Sequence, residues 1–159
     1  LHTSPEEIYR ALIEATAFGA LTIINRFEEY GARVSEIINC GGIAEKNPLI
    51  MQIYADVTGR EMKTTRSSQT CALGAAMAGA VAAGRSAGGY GCFEDAQKNM
   101  CAVKDHIFRP DPENHCVYQD LYRLYLQLHD AFGTREWSGS LYSIMKDLLF
   151  IRDRERKKR

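Results

Sequence analysis

A chain of 159 residues, 45% apolar and 25% charged, has the composition of one globular domain and length enough for one core. Twenty basic and twenty acidic side chains cancel to a formal net charge of zero, which removes the bulk electrostatic case for a nucleic-acid or membrane partner. No apolar run approaches the roughly 18 residues that span a bilayer. The five cysteines (Cys40, Cys71, Cys92, Cys101, Cys116) fall at no metal-ligand or C-x-x-C spacing and read as reduced thiols of a cytoplasmic protein. The opening Leu1-His2-Thr3 carries neither an initiator Met nor a leader pattern, so the expectation is a piece of a longer protein.

Ser4-Pro5-Glu6-Glu7 is a helix start: a hydroxyl cap, proline at the first position and acids facing the positive dipole end. Ile8, Leu12, Ala15, Gly19, Thr22, Ile23, Phe27 and Tyr30 keep helical spacing and predict a helix to about Tyr30, closed by Gly31. Its small residues Ala15, Ala17, Gly19 and Ala20 point to close packing on a neighbour.

Val34–Cys40 predicts a strand with Ile37 and Ile38 buried, followed by a Gly41-Gly42 turn and a helix from the cap Asn47 and Pro48 to Thr58. Gly59 supplies the left-handed stop. Leu49, Ile50, Ile53 and Val57 form the apolar stripe of that helix, Tyr54 flanks it, and Gln52 and Asp56 lie on another face. Strand, glycine turn and helix start bring backbone N–H groups close to a phosphorylated ligand. The same residues also make an ordinary tight turn under an amphipathic helix, and at this point both readings stand.

Glu61–Arg66 predicts a short, partly exposed strand. A polar turn over Ser67–Thr70 leads into a helix of mostly small residues that Gly84 ends. Ser86–Gly91 reads as a structural loop, Phe93–Met100 as a short helix, and Val103–Pro112 as an irregular linker with Ile107 and Phe108 against the core. Asp111-Pro112-Glu113 opens a helix through Val117, Leu121, Leu124, Leu128 and Phe132 that closes at Gly133. Its Tyr118, Tyr122 and Tyr125 read as packing rather than a base-stacking platform. A last helix runs from about Ser140 to Arg156. Its basic end, interrupted by Asp153 and Glu155, reads as a solvated terminus.

Two blocks carry a resemblance: I-I-N-C-G-G-I-A-E-K-N-P-L-I-M-Q-I-Y-A-D-V-T-G-R and S-S-Q-T-C-A-L-G-A-A-M-A-G-A-V-A-A-G. Together they resemble the paired C-terminal signatures of the FGGY family of carbohydrate kinases, within the actin-like ATPase superfamily. G-G-Y-G-C-F-E-D-A-Q, F-R-P-D-P-E-N-H and Y-R-L-Y-L-Q-L-H-D-A-F-G narrow the resemblance to the branch that phosphorylates L-ribulose in arabinose catabolism.

The resemblance implies an α/β fold: a partial ribonuclease H-like, actin-like ATPase lobe with a short parallel sheet packed with helices and a helix-rich C-terminal half. Residues 1–159 would form the C-terminal, nucleotide-binding lobe, truncated at its N-terminal strands. It implies ATP as cofactor, with Mg²⁺ held mainly by the nucleotide and the other lobe. L-ribulose would sit in that other lobe, which also carries the catalytic Asp, so no catalytic residue is assigned and no turnover is expected from this chain alone. Gly41 and Gly42 take the phosphate side, Lys46 and Asn47 the adenine or ribose side, and Ile43 and Ala44 form the backbone and apolar wall. Lys46 also reads as an ordinary solvent-facing lysine.

Missing strands imply an open sheet edge, which either pairs with another copy or is covered by helices. Self-association is the expectation, and no nucleic-acid or membrane partner is implied. Two alternatives remain open: a kinase of the same family acting on another polyol or ketose, and a non-catalytic actin-like interaction module.

Overall fold

In the computed structural model, which describes residues 3–158, helix α1 (Pro5–Glu29) begins with a capping box. Ser4 Oγ accepts from the Glu7 N–H at 3.3 Å, and the Glu7 carboxylate accepts from the Ser4 N–H at 2.8 Å. The helix buries Ile13, Ala17, Phe18 and Leu21. Ile8, Leu12, Ile23 and Phe27, the residues that make it legible as a helix, are each more than half exposed. At 3.6 residues per turn the exposed stripe lies about half a turn from the buried one. The helix therefore has two apolar faces, and one is uncovered.

Strand β1 (Ile37–Asn39) is shorter than the sequence suggests. The Val34 carbonyl accepts from Arg60 Nε at 3.2 Å, so the approach to the strand is held by a side chain rather than by a ladder. Ile38 is exposed, not buried. A one-turn helix, α2 (Gly42–Lys46), occupies what reads as a turn, and α3 (Pro48–Thr58) follows. Then come β2 (Met62–Thr65), α4 (Thr70–Ala83) and α5 (Phe93–Met100). Strand β3 (Val103–Phe108), α6 (Pro112–Gly133) and α7 (Ile144–Arg156) complete the chain.

The sheet order is β1-β2-β3. β1 runs parallel to β2, pairing Ile37 with Met62 and Asn39 with Thr64, so α2 and α3 form the crossover between parallel neighbours. β3 is antiparallel to β2, with Met62 opposite Phe108 and Thr65 opposite Val103. The irregular linker expected over Val103–Pro112 is thus corrected: its first six residues are a strand. Three of the six side chains are exposed and none is buried, so neither face carries the in–out alternation that marks a strand in sequence. Both prolines, Pro110 and Pro112, fall after the pairing ends.

The main core lies among α1, α3 and α6, where Phe18, Ile53, Val57 and Tyr118 meet. The tyrosines pack there: Phe18 sits edge-on to Tyr118 at 6.2 Å and against Tyr125 at 5.4 Å between centroids. On its other side α6 receives α7 through Leu124, Ile144 and Ile151. Arg154 Nη1 donates to Asp120 at 3.0 Å, so the basic end of α7 is pinned to α6. Leu128 and Phe132, expected on the packed face of α6, are exposed beyond the reach of this cluster. Helix α4 is apolar all round yet buries none of its described residues, packing on α5 alone among the long helices.

Candidate functional site

The two ends of α3 are built differently. At its start, Asn47 Oδ1 accepts from the Ile50 N–H at 3.2 Å, which commits the side-chain oxygen to the cap and leaves the amide Nδ2 free to donate elsewhere. Before it, Gly41 has φ +91°, a conformation an L side chain rarely adopts, so the bend itself requires glycine there. Gly42 is different. Its φ is not in the positive range, and a Cβ built on it would meet nothing within 4 Å. Among the described residues, nothing lies within 4 Å of a Cβ built on Gly41 either.

The other predicted residues of this segment divide by exposure. Ile43 is 69% exposed, whereas Ala44 is buried, so Ile43 is the apolar side chain the segment offers. Leu49, assigned by the helical stripe to the packed face, is also more than half exposed. Met51, which the predicted stripe leaves out, is buried in its place at 4% exposure. Lys46 is exposed and makes no ion pair among the described residues, while its neighbour Glu45 reaches Lys104 on β3 at 3.5 Å.

At the far end, Asp56 is 3% exposed and fully occupied. Its Oδ1 accepts from Gln52 Nε2 and from the Asp111 N–H, both at 2.8 Å, and its Oδ2 accepts from Asn114 Nδ2 at 3.1 Å. His115 Nδ1 donates to the Asp56 carbonyl at 2.7 Å, and Gln119 Nε2 donates to His115 Nε2 at 2.9 Å. Gly59 has φ +64°, and a Cβ there would lie 2.6 Å from His115 Cε1. Asp56 is therefore a docking carboxylate: three hydrogen bonds and its burial tie it to the start of α6. The sequence reading placed Gln52 and Asp56 on a separate polar face without the partners from α6 that bury them.

A cleft of about 790 Å³ lies by the start of β1 and the end of α3, lined by Asn25, Arg33, Thr58, Arg60, Tyr122 and Arg123. It does not include residues 41–47. Its Arg60 is engaged: Nη1 donates to Thr58 O at 2.8 Å and Nη2 to Glu28 Oε1 at 2.8 Å, which holds the Glu28 carboxyl below the usual carboxylate range. Among the described residues no group of three or more His, Cys, Asp or Glu side chains comes together to hold a metal ion.

Residues 1–83 match the model of the FGGY family of carbohydrate kinases, C-terminal domain. A ribulokinase of Geobacillus thermodenitrificans is 54% identical over 136 residues, covering 86% of this chain and 24% of that protein. A ribulokinase of Shouchella clausii is 48% identical over 154 residues, covering 97% of this chain and 27% of that protein. The chain spans about a quarter of the length of these curated relatives. Among solved structures, xylulose kinase from Rhodospirillum rubrum superposes with a TM-score of 0.67 at 24% identity, over 82% of this chain and 25% of that one. A ligand-bound xylulose kinase from Lactobacillus acidophilus gives 0.68 at 21% identity, over 81% and 25%. At those identities the superpositions speak for the fold, the actin-like ATPase fold of these kinases.

Proposed function

Since the chain belongs to the FGGY family of carbohydrate kinases, we propose that it forms the C-terminal, nucleotide-binding lobe of a kinase that transfers the γ-phosphoryl group of ATP to L-ribulose. The observation that carries this reading is the uncovered bend at Gly41-Gly42, set within a chain about half identical to proteins named ribulokinase. Xylulose and gluconate kinases at 20–24% identity give the alternative of another polyol or ketose substrate much less support.

In this reading the backbone of Gly41 and Gly42 lies against the polyphosphate. A side chain at either position would hold the phosphates away from the peptide N–H groups. Ile43 gives an apolar surface beside the bend, and the backbone of Ala44 continues it. Lys46, exposed and unpaired among the described residues, and the Asn47 amide nitrogen serve the ribose or adenine side. In this reading, as the family resemblance implies, Mg²⁺ enters with the nucleotide; no group of three or more His, Cys, Asp or Glu side chains gathers among the described residues.

Phosphoryl transfer to a hydroxyl also needs a carboxylate to orient or deprotonate it. The one deeply buried acid here, Asp56, already has its oxygens occupied by Gln52, Asp111 and Asn114. Sugar and catalytic base are therefore assigned to polypeptide outside residues 1–159.

Titration with a fluorescent ATP analogue tests the reading. Saturable binding is expected for the wild type and should be lost in Gly42→Val while the melting temperature stays unchanged. Equal signals from both proteins, or none from either, would instead favour an actin-like interaction module that has given up its nucleotide. Assayed alone with ATP and L-ribulose, the chain should release no ADP above the ribulose-free control.

A further inference from the structure

The two parallel strands end side by side. Asn39 of β1 pairs with Thr64 of β2, so two residues further on the bend at Gly41 comes level with Arg66. Neighbouring strands lie about 4.8 Å apart, and ligands of open parallel sheets gather outside the carboxyl ends of such strands. Residue 66 still follows the line of β2, because its N–H donates to the Ala102 carbonyl at 2.8 Å, one step beyond the pairing of Thr65 with Val103. The alternation of β2 puts it on the side of Met62 and Thr64, both buried, and α3 packs on that strand. Since α2 and α3 cross from the end of β1 to the start of β2, α3 begins at this end of the sheet.

Arg66 is exposed and makes no ion pair among the described residues. The carboxylate nearest the bend in sequence, Glu45, is turned to Lys104 at 3.5 Å. Lys46 and Arg66 are thus two cations that follow the parallel strands without a counter-charge among the described residues. The loop that carries Arg66 is meanwhile fixed: Thr65 Oγ1 donates to the Ser67 carbonyl at 2.9 Å, and Ser67 Oγ accepts from the Gln69 N–H at 3.2 Å.

We propose that Arg66 is a further nucleotide-binding residue of this lobe, its guanidinium donating to phosphate oxygens of a nucleoside triphosphate from the β2 side of the bend. The register favours phosphate over base: residue 66 is level with Gly41, whereas Lys46 and Asn47 stand at the far end of α2. A planar fork of N–H donors matches a pair of phosphate oxygens, which an ammonium does not. A backbone held in place before the ligand arrives lowers the cost of ordering that contact. The inference rests on the nucleotide reading and adds to it a residue that neither the glycine turn nor the helix caps point to. The competing partner for this arginine is a carboxylate from polypeptide outside residues 1–159, which would leave nucleotide binding by this chain indifferent to residue 66.

Displacement of the fluorescent ATP analogue from this chain by ATP and by adenosine tests it. Arg66→Ala should weaken ATP on the order of 10-fold, as for loss of one charge-assisted contact, and leave adenosine unchanged. Arg66→Lys should restore only part of the ATP affinity, because the charge returns without the fork. Arg135→Ala removes the same charge from an exposed arginine just beyond the end of α6 and should leave both ligands unchanged. Melting temperatures should match the wild type throughout, as both arginines are exposed. Unchanged ATP affinity in Arg66→Ala would overturn the proposal while leaving the nucleotide reading in place. An equal loss for adenosine, or an equal loss in Arg135→Ala, would overturn it too. A wild type that binds neither ligand removes the nucleotide reading, and this proposal with it.

Discussion

Helix α3 has a glycine site at each end, and the two exist for different reasons. At the far end, Gly59 is fixed by the protein itself: its backbone is left-handed, and the His115 ring fills the space a side chain would take. At the near end, Gly42 has an ordinary φ and empty space in place of a side chain. The first glycine is explained by folding. The second is not, but Gly19, Gly74 and Gly79 share its ordinary φ and open space, so the case for a ligand at Gly42 rests on its place in the proposed nucleotide bend. Gly41, with φ +91°, belongs with the first kind and carries less information.

The strongest way to break this contrast is to open the closed end. Asp56→Ala leaves the Asp111 N–H, Gln52 and Asn114 without their shared acceptor where burial is deep. A loss of about 3 kcal/mol is expected, for unsatisfied groups at roughly 1–3 kcal/mol each with partial compensation by water. Chemical denaturation should show it as a lowered midpoint with an unchanged slope. Gly59→Ala follows at about 2 kcal/mol, from the left-handed backbone and the displaced ring together. In Gly59→Ala/His115→Ala the collision is gone but the backbone strain remains. The pair should therefore be non-additive, and strict additivity would show that the ring is not what closes this end.

A smaller effect sits further along the helix that closes it. Tyr118 of α6 accepts from Arg10 Nη2 at 3.0 Å and donates to Glu14 at 2.8 Å, and burial pushes its phenol up to about 12. The folded state thus favours the protonated phenol more than the unfolded chain does. This contribution is whole below the unfolded value near 10 and is lost as pH rises through about 12. Tyr118→Phe should cost about 1 kcal/mol at neutral pH. It should also abolish a late step in the alkaline absorbance titration, and persistence of that step would assign it to another tyrosine.

The ends of α3 also mark how far residues alone could be read. Asn47, Pro48 and Gly59 announce themselves because caps are local chemistry, and the structure places them as cap, first residue and left-handed stop. The Ser4 and Asp111 caps were legible for the same reason, though not the reciprocal bond from Glu7 that makes the first a capping box. What joins distant segments was not. Asp56 looked like half of a polar pair until Asp111 and Asn114 came to meet it. β3 lacked alternation because neither of its faces is buried. The stripe on α1 showed that a helix was present but not which of its two apolar faces the core would take. Ile13, Ala17 and Leu21 step by four and Leu12, Ala15 and Gly19 by three and four, both helical spacings, and only the position of α3 and α6 decides between them.

The least perturbing substitution is also the most discriminating. Gly42→Ala should change stability by less than about 0.5 kcal/mol, as for an exposed site with no special backbone demand, and alanine's better helix propensity could raise it slightly. Thermal melts of Gly42→Ala and Gly59→Ala measured side by side check this. If the two fall together, the empty space at residue 42 is filled when the chain folds in solution, and glycine there is explained without a ligand. If Gly59→Ala melts several degrees lower while Gly42→Ala melts with the wild type, folding leaves residue 42 unconstrained. Weaker binding of the ATP analogue by that well-folded variant would then have no cause except a methyl group standing where the nucleotide approaches the backbone.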